Sequence, residues 1–323
     1  MAKHSLHFFN KFLTSLRVPK PAMTVKIATA QYPITRHTSF NDWEQHMELW
    51  IAEGVTQGAE LLLFPEYGAM EMTSLFSDDT RADIRQQVVE LNALNDQFCA
   101  VLADLAKKYQ VIIVAPSIPV IEDGKKVNRV YVFSIFGLIG YQDKFFMTRF
   151  ENEEWGIESG NKVLSVFETS WGSFGIQICY DVEFSVGSQL LAQAGALVIF
   201  APSCTETIRG ATRVHIGARA RALENQIYTV VSQTVGNALW SPAVDINYGF
   251  AAFYSTPDQN LPEEGIISTM TPQKEGWLVE ELDFQKIDDV RKRGQVFNFR
   301  DSQSIRTSFI DEEITVRHFQ VDL

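Results

Sequence analysis

The sequence predicts a layered α/β domain, and three features carry that prediction. Residues 59–64, 111–116 and 196–201 are short, continuous apolar runs, the pattern of strands covered on both faces. Between such runs lie longer segments whose apolar residues recur at three and four, as in helices with one buried face. No repeat, low-complexity tract or linker interrupts the 323 residues, and 46% hydrophobic content is enough for a large core, so one domain is expected.

Residues 1–22 stand apart. Lys3, Lys11, Arg17 and Lys20 occur there without an acidic residue, so a basic leader or a targeting segment is expected, excluded from the fold. Structure is expected from 23 to 283, with a charged C-terminal arm over 284–323 that packs on a neighbouring subunit. The first strand is read at 25–31, closed by Pro33. Ser39 followed by Asp42 is a helix-start pattern, and Phe40, Trp43, Met47, Trp50 and Ile51 then mark one buried helix face.

The run at 59–64 stops at Pro65, which cannot continue a ladder, so Glu66 stands at a strand end. One long helix is expected over 81–108, with Cys99 beside its apolar stripe. A strand follows at 111–116, a turn at Asp123-Gly124, and strands at 130–135 and 139–142. Lys144 ends the last of these, flanked by apolar residues. A β-rich run at 174–178 ends at Cys179, and a helix pattern starts near Ser185. Beyond it come a strand at 196–201 ended by Pro202, a helix at 211–226, and strands at 227–235, 247–255 and 276–282.

Composition excludes some functions. With 28 basic against 40 acidic residues the net charge is −12, which disfavours nucleic acid or an anionic membrane as partner. No run is long enough to cross a bilayer. Cys99, Cys179 and Cys204 make neither a disulfide framework nor a zinc spacing, which points to a reducing, cytoplasmic setting. The six histidines show no H-E-x-x-H or comparable pattern, so a histidine-built metal site is not expected.

Three strand ends thus deliver Glu66, Lys144 and Cys179. Ligands collect at strand ends in layered α/β folds, so these side chains can converge. A thiol needs a base or a cation to become a nucleophile. A neighbouring glutamate can take its proton, and a lysine beside both is expected to favour the thiolate and to donate to an oxyanion.

The chain resembles the nitrilase, or carbon-nitrogen hydrolase, superfamily over roughly residues 25–282. The matching pieces are Ala-Gln-Tyr-Pro at the first strand, Leu-Phe-Pro-Glu-Tyr around Glu66, Asp-Lys-Phe-Phe-Met around Lys144, Ile-Cys-Tyr-Asp at Cys179 and Arg-Ala-Arg-Ala-Leu-Glu-Asn before Gln226. The resemblance implies a four-layer α-β-β-α sandwich, a homodimer or larger homo-oligomer, and a Glu-Lys-Cys triad without metal or cofactor. Cys179 would be the nucleophile, Glu66 the general base and Lys144 the oxyanion donor, joined by the Tyr180 amide. An auxiliary glutamate is expected at Glu151, ahead of Glu153 and Glu154. Where many relatives read Phe-Pro-Glu after the cysteine, this chain has Phe184-Ser185-Val186. Arg219, Glu224 and Asn225 are read as structural.

The implied activity is hydrolysis of a small linear amide or N-carbamoyl compound, with Tyr67, Phe146, Trp155, Glu183 and Cys204 as candidate pocket walls. Three other readings stay open: a nitrilase acting on a small nitrile, a catalytically idle binding or scaffold protein, and a Cys–His hydrolase using His215.

Overall fold

The computed structural model describes residues 23–304 and 317–320, so the basic leader lies outside the described residues. Strand β1 (Thr24–Pro33) leads to helix α1 (Phe40–Thr56), whose start is fixed by the Ser39 hydroxyl accepting from Asp42 N–H at 3.1 Å. Strand β2 (Leu61–Leu63) runs into a 3-10 helix at Gly68–Leu75. The single helix expected over 81–108 is two, α2 (Asp78–Ala82) and α3 (Ile84–Tyr109). Asp83 breaks it, because its extended backbone lets the carboxylate accept from the N–H groups of Arg85 and Gln86 and cap α3.

Next come β3 (Ile112–Val114), β4 (Ile118–Glu122), β5 (Lys125–Ser134), β6 (Gly137–Asp143), β7 (Val166–Glu168) and β8 (Ser173–Ile176). Helix α4 (Ser185–Gln193), β9 (Ala196–Ser203), α5 (Ile208–Asn225) and β10 (Tyr228–Asn237) follow. The expected strand at 247–255 is split into β11 (Ile246–Asn247) and β12 (Ala252–Tyr254). Gly249 lies between them, so close to β10 that a Cβ would sit 2.4 Å from Gln233 Cβ. The set closes with β13 (Ile266–Thr269), β14 (Gly276–Asp283), α6 (Phe284–Arg293) and α7 (Asn298–Ser302).

The strands form one continuous sheet that divides into two halves: β6, β5, β3, β2, β1 and β14, with β4 beside β5, make the first, and β13, β12, β10, β9, β8 and β7, with the short β11 beside β10, make the second. Strand β1 joins them. It pairs antiparallel with β14 from Thr24 to Gln31, and its last residues, Gln31 to Pro33, pair parallel with Gln233 to Val235. The period-two alternation of β1 serves two cores. Val25 and Ile27 pack with Phe174, Ile176, Val198, Phe200 and Val230 of the second half. Ala28, Ala30 and Tyr32 face Trp43, Met47 and Ile51 of α1 and Val88, Phe98 and Leu102 of α3. Helices α4 and α5 cover the outer face of the second half, giving the α-β-β-α sandwich.

In the C-terminal segment, α6 is amphipathic and sends Phe284 and Ile287 into the core of its own chain, while Arg291 donates to the carbonyls of Asn225 and Gln226 at 3.1 Å. The rest of that segment, 305–316 and 321–323, lies outside the described residues.

Candidate active site

Four strands end at one crevice. Beyond β2, Pro65 closes the ladder and the chain turns at Tyr67, a non-glycine residue at φ 55° whose N–H is held by Ser117 Oγ at 2.7 Å. Gly68 is required there, since a Cβ would lie 2.9 Å from Pro116. Beyond β6, Lys144 N–H donates to Asn128 O at 2.9 Å. Beyond β8, Gln177 N–H still follows β9 by donating to Phe200 O, and the chain then turns at Cys179, which has φ 50°. That left-handed backbone is strained for cysteine and thrusts the side chain out of the turn Cys179–Glu183. Cys204 follows β9 directly.

The side chains at these ends form one buried cluster. Lys144 Nζ lies 2.6 Å from Glu66 Oε1, and Asn128 Nδ2 donates to the same oxygen at 2.9 Å. Cys179 lines the same cavity as Glu66 and Lys144, and its thiol is near enough for both charges to act on it. The main chain of Cys204 serves both groups: its N–H donates to Glu66 Oε2 at 2.9 Å, and its carbonyl accepts from Cys179 Sγ at 3.8 Å. Lys144 also meets Glu151, which in turn accepts from Tyr67 Oη at 2.7 Å and from Thr148 N–H and Oγ1 at 2.8 and 2.9 Å. Glu153 instead pairs with Arg149 at the surface, and Glu154 stands at the cavity wall.

Burial raises the Glu66 carboxyl, against the pull of Lys144. Burial would raise Glu151 too, but the Lys144 charge and the donors from Lys144, Tyr67 and Thr148 prevail, and it titrates lower than usual. Lys144 is desolvated, yet the two carboxylates hold its proton well above the ordinary lysine range. The thiol departs from expectation. Burial, then the negative charge of Glu66, push Cys179 well above the usual cysteine value, and Lys144 does not offset them. One ammonium faces two carboxylates, so the resting cluster holds a thiol rather than a thiolate.

A cavity of about 580 Å³ opens onto this cluster. Tyr67, Trp155, Tyr180, Glu183 and Cys204 line it, as expected. Phe146 does not: it is 45% exposed and its ring packs on Phe184 with centroids 4.1 Å apart, while its N–H donates to Asp181 Oδ1 at 2.8 Å. His215 is committed elsewhere. Nδ1 meets Tyr254 Oη at 2.8 Å, Nε2 meets Gln233 Oε1 at 3.0 Å, and the ring stacks on Phe250.

The sequence profile of the carbon-nitrogen hydrolases matches residues 26–292, nearly the whole of the sheet and its helices. The chain belongs to the carbon-nitrogen hydrolase family. It is 33% identical over 285 residues to the probable hydrolase YhcX of Bacillus subtilis, covering 88% of this chain but 55% of that protein, so it spans little more than half of that relative's length. It is 26% identical over 253 residues to the omega-amidase NIT2 of Danio rerio, covering 75% of this chain and 83% of the relative. A carbon-nitrogen hydrolase structure from Helicobacter pylori G27 shares the fold, with a TM-score of 0.72 at 17% identity over 90% of this chain and 98% of that one.

In this member of the carbon-nitrogen hydrolase family, Thr148, Asp181, Asn128 and Arg221 escape the sequence reading. Thr148 and Glu151 form a reciprocal Thr-x-x-Glu box, a pattern visible in the sequence, with Glu151 N–H near Thr148 Oγ1 at 3.4 Å. Asp181, inside the Ile-Cys-Tyr-Asp piece, is buried and accepts from Phe145 and Phe146 N–H; burial pushes its carboxyl up to about 7. Asn128 is a fully buried polar residue in an apolar strand, a signal that it has a partner to satisfy. Arg221, not Arg219, ties α5 to the cysteine turn, donating to Val182 O at 3.1 Å. Glu224 braces that arginine at 3.0 Å, and Asn225 bonds back to Arg221 O. Where the resemblance leads one to expect Phe-Pro-Glu, α4 starts at Ser185 and its N-cap, Phe184, offers no side-chain hydrogen bond.

Proposed function

We propose that this chain hydrolyses the carbon–nitrogen bond of a small linear amide or N-carbamoyl compound through a thioester on Cys179. The observation that carries the reading is the buried Glu66–Lys144 pair, tied to Cys179 through the main chain of Cys204, at a cavity that all three side chains line. The omega-amidase names of several relatives support the amide class.

Because the resting sulfur is a thiol, proton transfer accompanies attack. Glu66 takes the proton as Sγ bonds to the carbonyl carbon and the C=O electrons move to oxygen. Neutralising Glu66 weakens its hold on Lys144, which frees an ammonium N–H for the oxyanion beside the Tyr180 amide. Glu66 then gives its proton to the leaving nitrogen as the C–N bond breaks, releasing ammonia or an amine. Water attacks the thioester, passes a proton to Glu66, and the acid departs as the proton returns to sulfur. Glu151 keeps Lys144 charged and in place, and needs no part in the proton route.

No described helix is long and apolar enough to cross a membrane. The partner in this reading is a small molecule, and the three free thiols fit a reducing, cytoplasmic setting. Exposed Val186 and Leu190 of α4 and Ile216 of α5 support a homodimer, which sedimentation would test.

The deciding experiment is ammonia release from a panel of amides, N-carbamoyl compounds and nitriles. Turnover of the first two classes is expected, with Cys179→Ala at background and Glu66→Gln binding but not acylating. Equal turnover by Cys179→Ala refutes the reading, and no turnover of any member favours a binding protein.

A further inference from the structure

Outside the cavity, a second cluster of buried polar groups gathers where the loop after β1, helix α1 and the 3-10 helix Gly68–Leu75 meet. We propose that His37, His46 and Glu71 form a binding site for a divalent transition metal such as zinc, one that braces the fold rather than serving the reaction. One ligand atom from each of the three lies within 4.8 Å of the others, and none of the three lines the cavity. His37 and Glu71 are 3% and 1% exposed, and His46 is half-buried, leaving a path from solvent.

What points to a ligand is the unsatisfied nitrogens. Nε2 of His37 and Nε2 of His46 are both buried without a hydrogen-bond partner, a costly state that metal coordination relieves. His37 Nε2 stands 3.5 Å from Glu71 Oε2. Tetrahedral zinc with bonds of about 2.0–2.1 Å sets neighbouring ligand atoms about 3.3 Å apart, so this pair is near the required spacing already. The two imidazoles are neighbours, tilted at 54° with centroids 5.0 Å apart.

The surroundings are those of a ligand set held in place. Tyr32 Oη donates to Glu71 Oε1 at 2.8 Å and Thr35 N–H to Oε2 at 3.3 Å, so the carboxylate cannot swing. His37 N–H is held by Ser74 Oγ at 2.9 Å. The other nitrogen of His37 lies 3.9 Å from Asp42 Oδ2, a carboxylate on the outer side of the cluster. Among the described residues, Glu71 has no lysine or arginine ion pair to balance its charge; a divalent cation supplies that balance. Two neutral imidazoles and one carboxylate, with water at the last position, suit zinc, cobalt(II) or nickel(II).

The test uses the full chain, stripped with EDTA and then equilibrated with zinc chloride. One zinc per chain is expected by mass spectrometry of the metal, with a melting temperature raised by about 5 °C at hundredfold excess over Kd. Cobalt(II) should give the visible band of a four-coordinate site. His37→Gln and His46→Gln should each abolish the shift, whereas Cys179→Ala and Cys204→Ala should keep it. His46, half-buried, tolerates glutamine, so that variant decides the matter if His37→Gln does not fold. No melting shift in the native chain overturns the proposal, and so does undiminished zinc binding by His46→Gln.

Discussion

Lys144 faces both oxygens of Glu151, with Nζ 2.8 Å from Oε1 and 2.7 Å from Oε2. Both side chains are shut off from solvent, and the same ammonium also holds Glu66. The lysine is therefore not a mobile cation near the sulfur but the centre of a fixed group with net negative charge. Its position and its proton both depend on Glu151.

Glu151→Gln is accordingly expected to lower kcat by roughly a hundredfold while KM changes little, because an oxyanion donor loses its orientation. Breaking a buried pair should also destabilise the fold by about 3–5 kcal/mol. As a depressed carboxylate, Glu151 contributes stability above its unfolded pKa and loses it as the pH falls, so the deficit of the variant should shrink in acid. Steady-state kinetics and denaturant titration check both, and an unchanged kcat would count against the assigned role.

The thiol of Cys179 should titrate above the ordinary cysteine value in the native protein, because burial and the Glu66 charge outweigh Lys144. Alkylation by a small neutral reagent should keep accelerating past about pH 9. Glu66→Gln removes the negative charge but leaves the ammonium, so the thiol pKa should fall in that variant. A native profile that levels off below neutrality, or an upward shift in the variant, contradicts the charge balance described for the cluster.

His215 is held neutral, with burial lowering its pKa to about 4. Unfolded histidine titrates near 6.5, so the unfolded chain binds the extra proton first as the pH drops. The fold should lose about 3 kcal/mol between pH 6.5 and 4 through this group, and His215→Gln should flatten that part of the curve. The same variant should keep kcat within about threefold of native, since neither ring nitrogen is directed at Cys179. Loss of turnover would instead favour a Cys–His hydrolase.

Gly217 of α5 sits against the cysteine turn, where a Cβ would lie 2.8 Å from Val182 O. Helix propensity favours alanine by about 1 kcal/mol, yet the clash is with main chain that cannot yield cheaply. Gly217→Ala should be destabilising by about 1–2 kcal/mol net, and should reduce kcat/KM by displacing the turn that carries Cys179. Thermal unfolding and kinetics check this together.

The parts of the site that were legible in sequence are those whose location follows from chain punctuation. Glu66 and Cys179 stand just past apolar runs and Lys144 just past the strand Gly137–Asp143, and such stopping points are visible without coordinates. Asn128 and Asp181 were not, because they act through the direction of a side chain within a strand or a turn, which register decides. Phe146 shows the same limit, since it lies close to Lys144 in sequence but packs its ring on Phe184 outside the cavity. Asp83 and Gly249 broke two elements that hydrophobic periodicity alone had joined. His37, His46 and Glu71 carry no local spacing at all, as they come from a loop, a helix and a 3-10 turn that only tertiary packing unites.

The peptide of Cys204 donates its N–H to Glu66 and accepts at its carbonyl from Cys179, while its thiol borders the cavity and donates to Asn247 Oδ1 at 3.4 Å. Every amino acid except proline brings the same two polar atoms. Position 204 is thus a natural place to diversify the chamber: a saturation library there can reshape the space offered to different acyl groups while the link between acid and sulfur is inherited unchanged by each clone.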